Sequence, residues 1–426
     1  MKTIINKTVV MLSLMIMSAV TSQLHAQPST EAESYITVSG IVKSQQNHKP
    51  IEYATVTLKG TNVGTVTNED GEFTLKIKKG VADKTIIASH IGYGSTHQQV
   101  ADADVNNIIL FITPQKNLLD EVVVEAEVSR NIVRQAINKI PANYESEPTL
   151  LTGFYRETAR KRSRYINISE AVVNMYKTAY KDRSADCDRV QLVKGRKLMS
   201  EKSGDTLAVR LIGGPTLSIF MDIVKNPDDL LDEATLNYYD FKMEKSTYID
   251  GRQQYVIGFK PVMSVQYALF FGKLYIDKAS LAISRIEMSL DMSDRNKVTQ
   301  TILRKKPFGL IFKPQLLTFL INYKERGGKM CLSYIRNEVQ FKCDWKKRLF
   351  HTEYGVVSEM VVTDLVDNGV QKIPYRESFH DDESFADKVK AFYDDDFWGA
   401  YNILAPTESL DKAVGKLKKQ YKDDLR

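Results

Sequence analysis

A chain of 426 residues, 43% apolar and 9% aromatic, is long for one core and too apolar for bulk disorder, so two packed domains are expected. Its formal charge of +6 is unevenly placed: +2 over Met1–Ala26, −4 over Gln27–Arg130 (9 basic, 13 acidic residues) and +8 over Asn131–Arg426 (48 basic, 40 acidic). An excess that thin over so long a stretch lacks the dense basic stripe of a nucleic-acid binder and describes a solvated surface.

At the N-terminus, Lys2 and Lys7 flank the start of an apolar run, V-V-M-L-S-L-M-I-M-S-A-V, and Ala26 supplies a small residue before a cut. This is the pattern of a secretory signal peptide over 1–26. The apolar run is short for a membrane span, and no cysteine near the cut could carry a lipid anchor. The chain is therefore expected to be exported, to the periplasm or the outer membrane. Its three cysteines, Cys187, Cys331 and Cys343, leave at least one thiol unpaired. Cys331 and Cys343 lie within hairpin distance in sequence, which leaves their pairing open. Inert buried thiols are the favoured reading, and no Cys-x-x-Cys pair suggests zinc.

From Tyr35 to Thr113 short strand-like runs alternate with turn signals. In the second run Ala54, Val56 and Leu58 alternate with Tyr53, Thr55 and Thr57, a period of two that turns one face inward. The connecting stretch G-T-N-V-G-T-V-T-N-E-D-G-E-F (60–73) concentrates glycine, threonine and acid. A calcium loop centred on Gly71 would need ligands where Val66 and Ile77 stand. A phosphate loop would need Gly-Lys-Ser/Thr opening a helix, whereas Gly71 opens a strand. Turn chemistry remains: Asp70-Gly71 as a tight hairpin turn, with Gly64 serving an earlier turn or a close backbone approach.

Together Gly40-Ile41-Val42, Pro50-Ile51, Ala54-x-Val56-x-Leu58-Lys59-Gly60-Thr61, Gly64-Thr65-x-Thr67, Asp70-Gly71-x-Phe73 and Ile91-Gly92-Tyr93 resemble the carboxypeptidase-regulatory-like domain, over about 80 residues and in order. The resemblance implies a transthyretin-like or immunoglobulin-like β-sandwich of seven strands, here assigned to 27–126, and a non-catalytic accessory role. The same module precedes TonB-dependent transporters, and Leu119–Val124 resembles the segment that follows it there. A final strand leading into a linker is the favoured reading of Asp120–Val124 over a TonB-contacting box. About 300 residues follow, too few for a plug and a transporter barrel.

Residues 127–150 read as a linker with a short helix, Asn131–Ile140, stopped by Pro141. Residues 151–426 read as a mainly β domain with a few helices. Leu217–Pro227 reads as a helix ending at its proline, Asp250-Gly251 as a hairpin turn, and Lys278-Ala279 as another. Runs at Leu316–Tyr323, Met330–Phe341 and Glu353–Val362 continue a meander, which implies a strongly curved antiparallel sheet resembling an unclosed barrel. The C-terminus reads as a charged helix.

Asp250-Gly251, Tyr255-x-Ile257-x-Phe259, Gly272-x-Leu274-Tyr275-Ile276-Asp277 and Ala282-Ile283-x-Arg285-Ile286 resemble, over about 40 residues, periplasmic lipoprotein carriers of the LolA/LolB type. That resemblance implies an apolar face for acyl chains, with Phe259, Phe270, Leu274 and Ile286 as candidate lining. The same stripe also reads as ordinary core.

Catalytic patterns are sparse. His380 and Glu383 have the His-x-x-Glu spacing of a zinc site, but inside H-D-D-E-S ahead of the helix-like run F-A-D-K-V-K-A-F-Y, where the acids suit a helix start. Asp394–Asp396 could draw a cation or expose a turn. The basic run Arg160–Arg164 reads as a solvated loop or strand edge in preference to a lipid-headgroup contact, and Asp205-Thr206-Leu207 resembles an O-glycosylation sequon. The leading expectation is a non-catalytic envelope protein without cofactor or metal. Its partners would be an outer-membrane or periplasmic protein, a lipid-like ligand, or both. A metal-dependent hydrolase and a purely structural component of an outer-membrane complex are the alternatives.

Overall fold

The structure is a computed structural model. It describes residues 35–115, 126–200, 202, 204–205, 207, 209–227, 230–345, 351–366, 368–391 and 397–423. The segment 1–26, the run Asp120–Val124, Thr206 and Asp394–Asp396 lie outside the described residues.

Seven strands form the first unit: β1 (Tyr35–Ser44), β2 (Thr55–Leu58), β3 (Gly64–Val66), β4 (Glu72–Lys78), β5 (Thr85–Ser89), β6 (Thr96–Gln99) and β7 (Val105–Ile112). They make two sheets, β4-β1-β7 and β3-β2-β5-β6. Alternate residues Ile36, Val38, Val42, Phe73, Leu75 and Ile77 of the first sheet meet Val56, Leu58, Ile86 and Ala88 of the second. This is a β-sandwich with one apolar face per sheet.

The Asp70-Gly71 turn differs from the expected hairpin. β3 pairs with β2 and β4 pairs with β1, so the turn carries the chain from one sheet to the other. Only Gly71 takes a positive φ, +77°. A Cβ there would stand 2.8 Å from Pro50 Cβ and 3.0 Å from Val42 O, so the site demands glycine twice over. Asn68 organises the turn, its Oδ1 accepting from the amides of Asp70 and Glu72 at 2.9 Å each. Gly64 lies opposite Thr57 in the β2–β3 ladder, where a Cβ would come within 2.7 Å of the threonine methyl.

The second unit begins earlier than the sequence suggests. Helices α1 (Ala126–Asn138) and α2 (Ile140–Asn143) bury Val133, Ala136 and Ile140 in its core, and the buried Tyr144 hydroxyl donates to Ile283 O at 2.6 Å. Residues 127–150 are therefore structural, not a linker. Pro141 opens α2 in its first turn, where a missing amide costs nothing.

Strands β8 (Thr149–Lys161), β9 (Arg164–Lys177) and β10 (Arg189–Met199) follow, then β11 (Arg210–Leu211), helix α3 (Pro215–Phe220), and β12 (Tyr239–Ile249) to β15 through β13 (Arg252–Pro261), β14 (Phe270–Asp277) and β15 (Ile283–Leu290). Helix α4 (Arg295–Ile302) leads into β16 (Leu303–Lys305), and β17 (Leu310–Arg326), β18 (Lys329–Trp345) and β19 (Thr352–Val366) are the long strands. Helix α5 (Phe385–Lys388), strand β20 (Lys390–Ala391) and helix α6 (Glu408–Asp423) close the chain. Eleven strands form one open sheet in the order β12-β13-β14-β15-β17-β18-β19-β8-β9-β10-β20. The meander thus runs in chain order to β19 and is completed by the three earlier strands β8–β10.

Asp250 and Gly251 both have positive φ, 51° and 75°, as a two-residue I′ turn requires. Two helices are shorter than their sequences suggest. α3 ends at Phe220, well before Pro227, because Asp222 is drawn into a buried ionic site described below. The run after Ser384 gives four helical residues, and Lys390 then pairs with Arg196 at the sheet edge. Cys331 and Cys343 both lie on β18 and so cannot face each other; none of the three cysteines forms a disulfide.

One face of the sheet carries the core and helices α1–α5. The other face meets the sandwich, the segment 397–407 and α6, whose Leu410, Val414 and Leu417 pack on Ile168 and Leu198. Phe154, Val172, Tyr334 and Val361 pack there with Val66, Trp398 and Leu404. The edge of the sandwich that docks is the 60–73 stretch: Asn68 Nδ2 donates to Pro406 O (2.8 Å), the Thr65 hydroxyl to Ile403 O (3.1 Å) and Arg336 to Glu69 (2.7 Å).

Candidate functional site: a roofed cavity on the apolar face of the sheet

Residues 209–227 cross the apolar face as a roof. β11 pairs with β16, and Ile212 N–H donates to Ile302 O at 3.0 Å, which ties the roof to α4. Under the roof lie two adjoining cavities. The smaller, about 220 Å³, is lined by Leu217, Phe220 and Met221 above and by Phe270, Met288 and Phe319 of the sheet below. The larger, about 320 Å³, lies over β8, β9 and β19, with Glu157, Ala159, Val356 and Ser358 in its floor. Ile212, Asn337 and Val339 line both. The larger has the size of a small-ligand site, and the lining of the pair combines aliphatic and aromatic side chains with polar groups.

The roof is pinned by an ionic cluster with no access to water. Asp222 accepts from Lys177 Nζ (2.8 Å) and from the hydroxyls of Tyr180 and Tyr323 (2.7 Å each). Burial alone would push the Lys177 ammonium pKa down, but Asp222 and Asp188 outweigh it and the pKa is raised. Lys225, three residues on, donates to the Thr178 hydroxyl at 2.8 Å.

A single cross-strand row crosses the cavity floor. Met288 stands opposite Phe319, Phe319 opposite Asn337, Asn337 opposite Ser358, and Ser358 opposite Glu157. Directly opposed residues of antiparallel strands share a face, so the row passes from apolar to polar across five strands. Burial pushes the Glu157 carboxyl up, and the Tyr155 hydroxyl, donating to Oε2 at 3.1 Å, opposes this only in part. Asn337 Oδ1 is buried without a hydrogen-bond partner.

Of the candidate lining residues, Phe270 reaches the smaller cavity. Leu274 and Ile286 face each other across β14 and β15 with no exposure and belong to the core. Phe259 is buried, edge-on to Tyr239 at 5.7 Å. The sequence reading missed Asn337, Ser358 and Glu157. A signal for the first was present: Ile335, Val339 and Phe341 are the inward residues of β18, and Asn337 interrupts that series.

The remaining motifs fall elsewhere. His380 Nε2 lies 2.9 Å from Tyr375 O, and Glu383 accepts the His380 amide and pairs with Lys388. Among the described residues no three His, Cys, Asp or Glu side chains converge as a metal set. Arg160–Arg164 spans the β8–β9 turn, with Arg160 over the Tyr165 ring and Arg164 paired with Asp205. A separate open groove of about 670 Å³ lies on the opposite face beside the sandwich. Its Lys273–Glu244 and Arg285–Glu287 charges are mutually paired.

Residues 38–124 match the CarboxypepD_reg-like domain family. An 89-residue stretch is 43% identical to the TonB-dependent receptor SusC of Bacteroides thetaiotaomicron, covering 21% of this chain and 8% of the receptor. Two solved structures align over more of the chain: a DUF1329 family protein from Desulfovibrio piger (12% identity, 58% of this chain, 95% of that one, TM-score 0.24) and a protein from Bacteroides fragilis described as membrane-associated (11%, 78%, 99%, TM-score 0.16). Both scores are too low to assign the fold of the second unit. The first unit thus lies almost wholly within the stretch, residues 38–124, that matches the CarboxypepD_reg-like domain family.

Proposed function

We propose that this is an exported, non-catalytic protein of the bacterial envelope that holds an apolar ligand in the roofed cavity, with the sandwich as an accessory domain. The observation that carries the proposal is the pair of adjoining cavities under residues 209–227, with aliphatic and aromatic side chains prominent in their lining. The likeness of the sandwich to part of a TonB-dependent receptor and the leader-like sequence over 1–26 support placement at the outer membrane. The LolA-like pattern of β13–β15 is in keeping with an acyl-chain ligand.

Organic extraction of the purified chain followed by lipid mass spectrometry tests this directly. A co-purifying amphiphile, and displacement of a fluorescent fatty-acid analogue that is lost in Leu217→Trp, are expected. An empty preparation that also binds no probe overturns the proposal.

A further inference from the structure

The register of the sheet lays one cross-strand row along the cavity floor, from apolar to polar, and it ends on groups that select a ligand head. We propose that the ligand is a single-chain amphiphile with an uncharged, hydrogen-bond-donating head. Its chain would lie over Met288 and Phe319, and its head between Asn337, Ser358 and Glu157. This rests on the apolar-ligand reading above and narrows it to one chemistry.

Three observations support the assignment. The row from Met288 to Glu157 spans four strand spacings, roughly 19 Å, so one extended chain can reach from the apolar to the polar end beneath a continuous roof. Asn337, 7% exposed, is shared by both cavities, and its Oδ1 lacks a partner. A buried carbonyl left unpaired is costly, and a ligand O–H or N–H at the waist of the cavity would satisfy it. The charged groups around the larger cavity are mainly acidic: Glu157, Asp205, Glu383 and Asp387 against Arg210. Arg210 is itself turned to Asp382 O at 2.9 Å. A carboxylate head would be brought beside Glu157 with no cation to receive it, at a large desolvation cost. An uncharged hydroxyl or amide head has no such cost. Burial shifts Glu157 toward its protonated form, which can both accept and donate.

The test compares two ligands with the same chain on the purified full chain at pH 7.5, 1-monododecanoylglycerol and dodecanoate, by titration calorimetry. The glycerol ester is expected to bind at least tenfold tighter. Asn337→Leu is expected to lower its affinity about tenfold, the loss of one hydrogen bond to a buried acceptor. Thermal melts establish that the variant is folded. If Asn337→Leu does not fold, the wild-type preference decides the matter. Dodecanoate binding as tightly as the ester, or an unchanged affinity in folded Asn337→Leu, overturns the assignment of the head and leaves the apolar-ligand reading standing. Binding of neither ligand overturns both.

Discussion

Lys177 Nζ stands 2.8 Å from the Asp222 carboxylate, and the two side chains are 1% and 0% exposed. Asp222 belongs to the roof and Lys177 to the end of β9, so this contact couples the cavity cover to the sheet. Removing one member of a buried pair leaves the other charged and unsolvated, a loss of about 3–5 kcal/mol. Asp222→Ala also strips the Tyr180 and Tyr323 hydroxyls of their acceptor. Urea unfolding should show a loss in that range, and amide hydrogen exchange over 212–226 should accelerate more than over β17–β19. A uniform acceleration throughout the sheet would show that the pin stabilises the fold without holding the roof in particular.

Glu170 is forked between Arg156 (2.8 Å) and Arg196 (2.9 Å) on the opposite face, and all three are buried. Arg156 also donates to Leu404 O at 2.7 Å, which fastens the segment 397–407 to the sheet. Burial would raise the Glu170 pKa, but the two guanidiniums outweigh it and hold the carboxyl below its usual value. Because the folded pKa is the lower one, the stabilisation is complete above the unfolded value near 4.5 and disappears as pH falls through the folded value. Glu170→Gln should cost about 3–5 kcal/mol at pH 7 and should flatten the loss of stability below pH 4.5. Chemical denaturation at pH 7, 4.5 and 3.5 checks both parts, and parallel acid limbs in variant and wild type would contradict the second.

What could be read from the sequence is the local part of this architecture. Alternation in Ala54, Val56 and Leu58 and the Asp250-Gly251 turn are properties of adjacent residues, and both appear in the structure. The Asn337–Ser358–Glu157 row is a property of register: its members are up to 201 positions apart in the chain and meet only because β18, β19 and β8 align. Nor does Pro141 announce whether it ends one helix or begins the next, since the same ring suits a first turn and breaks an interior. The shortened α3 has the same origin, because a buried acceptor for two tyrosines is worth more than a further helical turn. In each case tertiary contacts overrode a correct local preference.

His90 lies at the seam between the two units, close to Arg285, with its Nδ1 3.0 Å from Ile91 O. Burial, reinforced by the Arg285 charge, lowers its pKa to about 4. The folded imidazole stays neutral while the unfolded one takes a proton near pH 6.5, so unfolding binds a proton between those values and stability falls as pH drops. The slope from this one group approaches about 1.4 kcal/mol per pH unit. His90→Asn should lose that component, so the difference in unfolding free energy between wild type and variant should change steadily from pH 6.5 to 5. A constant difference over that interval would show that His90 does not titrate in this window.

Asn68 performs two tasks with one amide, and they can be separated. Its Oδ1 accepts from Asp70 and Glu72 to hold the sheet-to-sheet turn, while its Nδ2 donates to Pro406 O across the seam at 2.8 Å. Asn68→Asp keeps the acceptor and removes the donor, placing a carboxylate against a carbonyl. Asn68→Ala removes both. The side chain is 2% exposed, so the alanine variant leaves two turn amides without their acceptor, at about 1–3 kcal/mol. The aspartate variant should retain most of the sandwich's own stability yet loosen its attachment. Limited proteolysis at the seam, read beside thermal unfolding, distinguishes the two effects: faster cleavage with a nearly unchanged melt is expected for Asn68→Asp, and a lowered melt for Asn68→Ala. If Asn68→Asp melts as low as Asn68→Ala with no gain in cleavage, the bond to Pro406 does not dock the units, and Asn68 serves its turn alone.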